Sequence, residues 1–474
     1  MSVPRLSTYA ALLAASVLLP LPAVAQATKA PPSGKPAASN ATAAAAPAVG
    51  HPCGFPRDTA RSADTLTTSY LVSGVRVIHR CVTANDVVAA NLYLLGGVRQ
   101  ATPETQGIEP LLLQASERGT RKYPKDVLRR KMATLGSEIA IGPGVDWSVI
   151  GLRAIRANFD STWAILADRV IAPTLDSTEV ADLRSQLSLA LRQRGANPDA
   201  LVAQLADSMA WIGHPYALDP IGTEASMANL DVAALKRYHG AQMVTSRMLL
   251  VIVGHVERDR VERLVRATIG RLPAGSYAWS LPTDPAPITT DIMVVQRPLP
   301  TNYIRGYFQG PAASSPDYQA LRVASAALSG RLFGEIRSRR NLTYAVESPF
   351  VERARAVGGL YVTTTSPDTV LALMRTEIRD LQTDLVPERG LELLVQQFIT
   401  EYFLDNETNA AQADFLARAH LFQGDWRSAE RFVDELRRVT PQDVRRVARQ
   451  YMKNIRFAYV GDPRAVSRRS VQGF

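Results

Sequence analysis

Residues that could bind a metal ion or activate water are few in this chain of 474 residues. A helical zinc site usually places two imidazoles four residues apart, so that both point from one face of the helix. The six histidines are His51, His79, His214, His239, His255 and His420. No two of them lie within five residues of each other. The sequence therefore does not predict a zinc hydrolase site of the usual helical kind.

One segment keeps the frame of a zinc helix without its ligands. It reads Gly107-Ile-Glu-Pro-Leu-Leu-Leu-Gln-Ala-Ser-Glu-Arg-Gly119-Thr120. The frame resembles Gly-x-x-His-x-x-Glu-His-x-x-x-x-Gly-Thr of the pitrilysin/insulinase metallopeptidases, the inverted zincins, where two His bind zinc and a Glu deprotonates water. Pro110 and Gln114 stand at the His positions, and Leu113 stands at the Glu position. Because these side chains cannot do that chemistry, the resemblance implies a homologue that has lost its metal site.

The third zinc ligand of the family is also absent. By the resemblance, this Glu would lie on a later helix, near Leu189 or Ala190. No Asp or Glu occurs between Leu183 and Pro198. We therefore expect no metal and no other cofactor in this chain, and we expect the zinc of an active complex to be bound by a partner chain.

A segment of the second half resembles another family motif. It runs Arg331-Leu-Phe-Gly-Glu-Ile-Arg337-Ser-Arg-Arg-Asn-Leu-Thr-Tyr344-Ala-Val and is similar to Arg-Leu-Phe-x-x-Leu-Arg-Glu-x-x-Gly-Leu-Ala-Tyr-Ser-Val. In active members the Arg and Tyr project towards the zinc, where they can stabilise a carbonyl oxygen that becomes negative. The resemblance implies that Arg337 and Tyr344 are donated to a partner's site. The alternative is that Arg337 joins a solvated cluster with Arg339 and Arg340, while Tyr344 is half-buried packing.

The resemblance also suggests where a peptide would bind. Residues 132–147 are similar to the segment that follows the zinc helix, whose strand forms an open sheet edge. In active relatives the substrate adds to this edge through main-chain hydrogen bonds. The residues expected to form the substrate edge strand are Glu138, Ile139, Ala140 and Ile141. Pro143 has no N–H group, which favours a blunted edge.

The beginning of the chain has the pattern of an export signal. Residues 1–25 contain Arg5, an apolar stretch and the small-residue sequence Ala23-Val24-Ala25, and we interpret them as a signal peptide. Residues 26–52 are rich in Ala and Pro and are interpreted as a disordered linker. No later segment has the roughly 20 consecutive apolar residues of a membrane span. We expect a secreted, periplasmic protein without an integral membrane segment.

The only two cysteines are Cys53 and Cys81. An oxidising exported compartment allows them to pair, so we predict a disulfide that joins the start of the ordered chain to its first long strand. In the chain-entropy model, closing a loop of about 28 residues contributes on the order of 3 to 4 kcal/mol. The alternative is a pair of inert buried thiols.

The net charge of +10 could suggest binding to nucleic acid. An exported chain rarely meets nucleic acid, however, and the arginines are dispersed over helical segments. We therefore expect a solvated basic surface and no nucleic-acid partner. Sequence templates for a serine nucleophile elbow, a phosphate-binding loop and a dinucleotide site are also absent.

The remaining chain is interpreted as two copies of one α/β unit. The closest internal similarity joins residues 230–256 with 440–463, where an Asp-Val opens a helix and a strand ends at Val-Gly. In this comparison Asp231 matches Asp443. The expected regions are an N-terminal peptidase-like domain at 53–273, a linker at 274–290, a C-terminal peptidase-like domain at 291–464 and a basic tail at 465–474.

We expect an α+β protein of two homologous α/β domains. Each domain should have a mainly antiparallel sheet with helices packed on one face, and by the resemblance the two should form a clamshell. The function that follows is a non-catalytic subunit of a heteromeric zinc metallopeptidase. It would pair with a zinc-bearing paralogue, help enclose unfolded peptides, and be inactive alone. The alternatives are a peptide-binding or structural scaffold and a free-standing hydrolase with an unusual site.

Overall fold

The computed structural model describes residues 51–55 and 66–474. The predicted signal peptide and nearly all of the predicted linker after it lie outside the described residues. Among the described residues, no helix is both long enough and apolar enough to cross a membrane.

The described strands form two sheets of six strands each. The strands are β1 (Thr67–Val72), β2 (Val75–Cys81), β3 (Val87–Leu95), β4 (Glu138–Gly142), β5 (Trp147–Ile155), β6 (Met248–Gly254), β7 (Asp291–Gln296), β8 (Asn302–Ala312), β9 (Val346–Glu347), β10 (Phe350–Val351), β11 (Arg355–Thr364) and β12 (Arg456–Gly461). The helices of the first half are α1 (Ile108–Ala115), α2 (Lys125–Leu135), α3 (Phe159–Ile171), α4 (Ser177–Ala196), α5 (Pro198–Ala210), α6 (Glu224–Asn229), α7 (Val232–Gln242) and α8 (Arg258–Ala267). The helices of the second half are α9 (Asp317–Leu332), α10 (Pro367–Thr383), α11 (Glu388–Asp405), α12 (Asn409–Gln423), α13 (Phe432–Arg437) and α14 (Pro441–Tyr451).

The two sheets share one strand arrangement. The first has the order β1-β2-β6-β3-β5-β4, and the second has the order β10-β11-β8-β12-β7, with β9 also paired to β11. In each sheet, one pair is parallel, β2 with β6 and β7 with β12, and every other pair is antiparallel. The predicted α+β class with mainly antiparallel sheets is confirmed, and the common order fits a repeated unit.

The structure changes the alignment of the two similar segments, residues 230–256 and 440–463. Helix α7 begins after Asp231, whose side chain caps the helix by accepting from Ala234 N. Helix α14 begins after Thr440, and Asp443 lies three residues further on as its partner in a capping box. Asp231 therefore corresponds to Thr440 and not to Asp443, because two different Asp-Val pairs fall near the start of equivalent helices.

Each sheet is covered on both faces. Helices of the same half pack on one face, as expected, and a helix of the other half packs on the opposite face. Helix α5 of the first half lies on β8 and β12, with Val202 and Ala206 in one cluster with Val357 and Val460. Helix α12 of the second half lies on β3 and β6. The two halves are thus closed directly onto each other by a reciprocal exchange of helices.

The segments that were predicted as linker and tail are packed. Residues 272–290 contain no helix or strand, but the indole N–H of Trp279 donates to Leu421 O at 2.9 Å. In the tail, Val471 is buried and the ring of Phe474 lies 5.0 Å from that of Phe457.

At the other end of the described chain, Cys53 and Cys81 form a disulfide with Cα atoms 5.9 Å apart.

Candidate functional site

Helix α1 carries the three vacated zinc positions. It starts after Gly107, which has φ of 87° and thereby admits the left-handed turn into the helix. Pro110 fits in the first helical turn, where a missing N–H breaks no helical hydrogen bond. Pro110 and Leu113 are buried, Leu113 within the core of the first half, and Gln114 is half-buried. At the position of the base, an apolar side chain therefore excludes the water that a hydrolase would activate.

Helix α4 should supply the third ligand in the family, and the structure corrects the position expected for it. Leu189 is 50% exposed, and Ala190 is also exposed, so both point away from the core. The packed face of α4 is formed by Leu183, Leu187 and Leu191. This face supplies no carboxylate, and the described residues contain no group of three or more His, Cys, Asp or Glu that could hold a metal ion.

A buried charge cluster lies beside the vacated positions, and no sequence pattern predicts it. Glu109 accepts from Arg247 Nη2 at 2.9 Å and from the Tyr238 hydroxyl at 2.8 Å through the same Oε2 atom. Burial alone would lower the pKa of Arg247, but Glu109 and Tyr238 raise it above its ordinary value. Burial, and then Glu109, raise the pKa of Tyr238. The cluster joins the first turn of α1 to α7 and to the start of β6.

Strand β4 lies at the edge of the first sheet, next to helix α1. It contains the four residues expected for peptide addition, and among the described strands it pairs only with β5, from Glu138 opposite Arg153 to Gly142 opposite Val149. Pro143 follows the last residue of the strand, so its missing N–H does not interrupt β4. The free side of this strand has the geometry that an added peptide strand requires.

Arg337 and Tyr344 come together on the surface of the second half. Helix α9 continues as a π-helical segment, Phe333–Arg339, that carries Arg337. The guanidinium carbon lies 4.9 Å from the ring centre of Tyr344 and 5.0 Å from that of Phe333. Tyr344 is 82% exposed and Phe333 is 45% exposed. Tyr344 is thus not half-buried packing, contrary to the alternative considered from the sequence.

The neighbouring arginines behave differently. Arg339 Nη1 lies 2.5 Å from Glu335 Oε2, and Arg340 Nη2 lies 2.8 Å from Glu335 Oε1. Among the described residues, Arg337 has no carboxylate partner. One glutamate therefore neutralises the two flanking arginines, while Arg337 is stacked between rings with its N–H donors still available.

Part of the chain matches a known family model, and longer parts of it match known proteins. The family model described as "Peptidase M16 inactive domain" matches residues 229–398. Mitochondrial-processing peptidase subunit beta of Blastocladiella emersonii is 22% identical over 400 residues, 81% of this chain and 85% of that protein. Cytochrome b-c1 complex subunit 1, mitochondrial, of Homo sapiens is 22% identical over 267 residues, 55% of this chain and 54% of that protein. The chain thus spans about half the length of the human relative.

Solved structures share the fold. A structure described as the peptidase M16 inactive domain from Pseudomonas fluorescens has a TM-score of 0.77 at 19% identity, covering 84% of this chain and 98% of that chain. The periplasmic protease PqqL from Escherichia coli has a TM-score of 0.70 at 14% identity, covering 84% of this chain but 46% of that chain. With the vacated frame on α1 and the Arg337 segment, these matches show that the chain is a homologue of M16, or pitrilysin/insulinase, peptidases that lacks the His-x-x-Glu-His motif.

Proposed function

We propose that this chain is the non-catalytic subunit of a two-chain zinc peptidase that acts on unfolded peptides in the periplasm. The zinc and the general base belong to the partner, a zinc-bearing paralogue of the same family. This chain supplies Arg337 and Tyr344 to the partner's site and forms part of the wall that encloses the peptide.

The observation that carries the proposal is a contrast between two sites in one chain. Helix α1 has an apolar core residue, Leu113, where hydrolysis needs a base. Tyr344, in contrast, is exposed, and the half-buried Arg337 lies beside it without a neutralising carboxylate among the described residues. A guanidinium and a phenol held in this way are suitable donors to an oxyanion that develops on a substrate bound elsewhere.

The fold is consistent with a two-chain assembly. This chain aligns with 46% of the PqqL chain, which is about the share expected if two units of this fold made up the longer protein. A second chain of the same fold would supply the other unit. The free side of β4 would then be available to hold an extended peptide within the assembly.

The alternative function is a scaffold without a peptidase role. It is favoured by the similarity to cytochrome b-c1 complex subunit 1, which is named as a subunit of a respiratory complex. A scaffold does not require the hydrogen-bond donors of Arg337 and Tyr344. Substitution of either residue should therefore impair a complementing subunit and leave a scaffold unaffected.

The experiment is a complementation assay with the candidate zinc-bearing partner. Cleavage of a quenched, unstructured peptide is measured, with zinc present, as this chain is titrated into the partner. A saturable rise in rate is expected. Because loss of one donor to an oxyanion lowers the catalytic rate by about 100-fold or more, Arg337→Ala and Tyr344→Phe should each abolish most of the rise while binding is retained.

Arg339→Ala is the matched control. It removes an arginine two residues away, at the end of the same π-helical segment, but one that is already paired with Glu335. The rise should persist with this variant. A flat titration despite tight binding would leave the scaffold function, and cleavage by this chain alone would show a hydrolytic site of its own.

A further inference from the structure

The outer side of helix α11 exposes large apolar side chains that no residue of the described part of the chain covers. Its inner face packs Leu391 and Val395 into the core of the second half. On the outer side, Leu393 is 50% exposed and Leu404 is 59% exposed, and their separation of about three helical turns places them on one stripe. Phe403, beside this stripe, is 62% exposed. Gln397 and Thr400 lie between the two leucines on this stripe, so the outer side of α11 is a mixed apolar and polar surface.

The surroundings of this face are acidic, in a chain that is basic as a whole. Between Asp384 and Glu407 there are six acidic residues and one basic residue, Arg389. Arg389 pairs with Glu392 at 3.3 Å. The acidic residues without a basic partner among the described residues are Asp384, Glu388, Glu401, Asp405 and Glu407. A partner for this face should therefore present basic side chains beside a small apolar area.

Helix α2 and the loop before it have that complementary chemistry. Between Arg118 and Leu135 there are seven basic residues and one acidic residue, Asp126. Leu128 is the one buried residue of α2, and Val127 is 39% exposed. The basic side chains that are exposed and have no acidic partner among the described residues are Arg121, Lys122, Arg130 and Lys131. Within the described residues, the segment 118–135 thus has exposed basic side chains without acidic partners, and α11 has acidic side chains without basic partners.

We propose that the acidic, apolar face of α11 binds the basic segment 118–135 of a second copy of this chain. One segment lies in the first half and the other in the second half, and each stays exposed within a single chain. Since every copy carries both surfaces, two copies related by a two-fold axis make the contact twice. The proposal stands on charge and exposure and does not depend on the proposed function.

The test is the oligomeric state of the purified chain, measured by sedimentation equilibrium at low and at high salt. A dimer is expected at low salt, with a dissociation constant that rises about tenfold or more at high salt because exposed charges are screened. The double variant R129E/R130E on α2 should be monomeric at low salt. The double variant E401K/D405K on α11 should also be monomeric.

Mixing the two monomeric variants gives the decisive measurement. In the mixed pair, the reversed α2 of one chain meets the reversed α11 of the other, and the unchanged segments meet at the second contact. Equimolar mixing should therefore restore a dimer, which misfolded variants could not do. The control R263E/R266E makes the same charge change on α8 and should leave the dimer intact.

Three results would overturn the proposal. The unsubstituted chain could stay monomeric at all concentrations, or its dimer could be insensitive to both variants, which would place the interface elsewhere. Binding of a monomeric chain to vesicles of anionic phospholipid, lost in R129E/R130E, would assign the basic segment to a lipid surface instead of a second copy.

Discussion

Glu335 determines how three neighbouring arginines can act. Its two carboxylate oxygens bind Arg339 and Arg340, and the side chain of Arg337 lies between the rings of Phe333 and Tyr344. Stacking on aromatic faces holds a guanidinium in place without occupying its N–H groups, whereas an ion pair occupies them. At the residue scale, the difference between a structural and an available arginine is therefore made by one acidic neighbour.

His79 gives the chain a pH-dependent stability. It is fully buried, and its Nδ1 lies 3.2 Å from the Tyr70 hydroxyl. Burial, and then the charge of Arg258, lower its pKa to about 3. Between pH 6.5 and 3 the unfolded chain binds a proton that the folded chain does not. The contribution of His79 is therefore complete above pH 6.5 and is lost as the pH falls towards 3.

The expected effect is a loss of about 1.4 kcal/mol in the free energy of unfolding per pH unit below pH 6.5. Urea unfolding between pH 7 and 5 should show this slope, added to that of other groups. In His79→Gln the slope should be smaller by that amount, whatever the variant costs at pH 7. Parallel pH curves for the two proteins would contradict the assignment to His79.

Some residues could be interpreted from the sequence alone, and others could not. Pro110 and Leu113 exclude zinc chemistry by their identity, which does not depend on the fold. The pairing of Glu109 with Arg247 spans 138 residues and is created by the packing of α1 against α7 and β6. The exposure of Tyr344 likewise depends on where α9 ends, which no local pattern indicates.

At the scale of elements, the turn between β1 and β2 does not follow from the hydrophobic pattern. The run of β-forming residues from Ser69 to His79 by itself predicts one strand, whereas the structure has a hairpin of β1 and β2. Ser73 and Gly74 form the two-residue turn with φ of 49° and 85°. Apolar residues continue at both sides of so short a turn, so the hydrophobic pattern does not show the break. The Ser-Gly pair was the one available signal.

Gly74→Ala should destabilise this hairpin. At φ of 85°, a side chain costs about 1 to 2 kcal/mol in backbone strain, and the added Cβ would lie 2.5 Å from Oγ1 of the buried Thr245. Urea unfolding should therefore show a loss of at least about 1 kcal/mol. The control is Gly195→Ala in α4, where a Cβ meets nothing within 4 Å, and which should be neutral or stabilising. Equal effects of both variants would contradict the turn geometry.

At the scale of the whole molecule, the repeat is visible in the sequence but the exchange of helices is not. An apolar face on α5 or α12 predicts burial without stating which sheet the helix will cover. Helix α5 follows α4 directly and could have packed on its own sheet, but that sheet already has its own helices on one face and α12 on the other. Which sheet α5 covers therefore depends on the packing of both sheets, and a local sequence pattern does not determine it.

This exchange predicts that the two halves unfold as one unit. Arg353 of the second half donates to both carboxylate oxygens of Asp207 on α5, each at 2.8 Å. Loss of a charged, part-buried contact of this kind costs about 1.5 to 3 kcal/mol, so Asp207→Ala should lower the free energy of unfolding by that amount. Because α5 belongs to the first half and packs on the second sheet, hydrogen exchange should become faster by the same factor in β3 of the first half and β8 of the second. Arg389→Ala, which breaks an exposed pair with Glu392, should change both by less than about 0.5 kcal/mol. If exchange in Asp207→Ala changed in one sheet alone, or unfolding split into two transitions, the halves would be independent domains in contact and not a single cooperative structure.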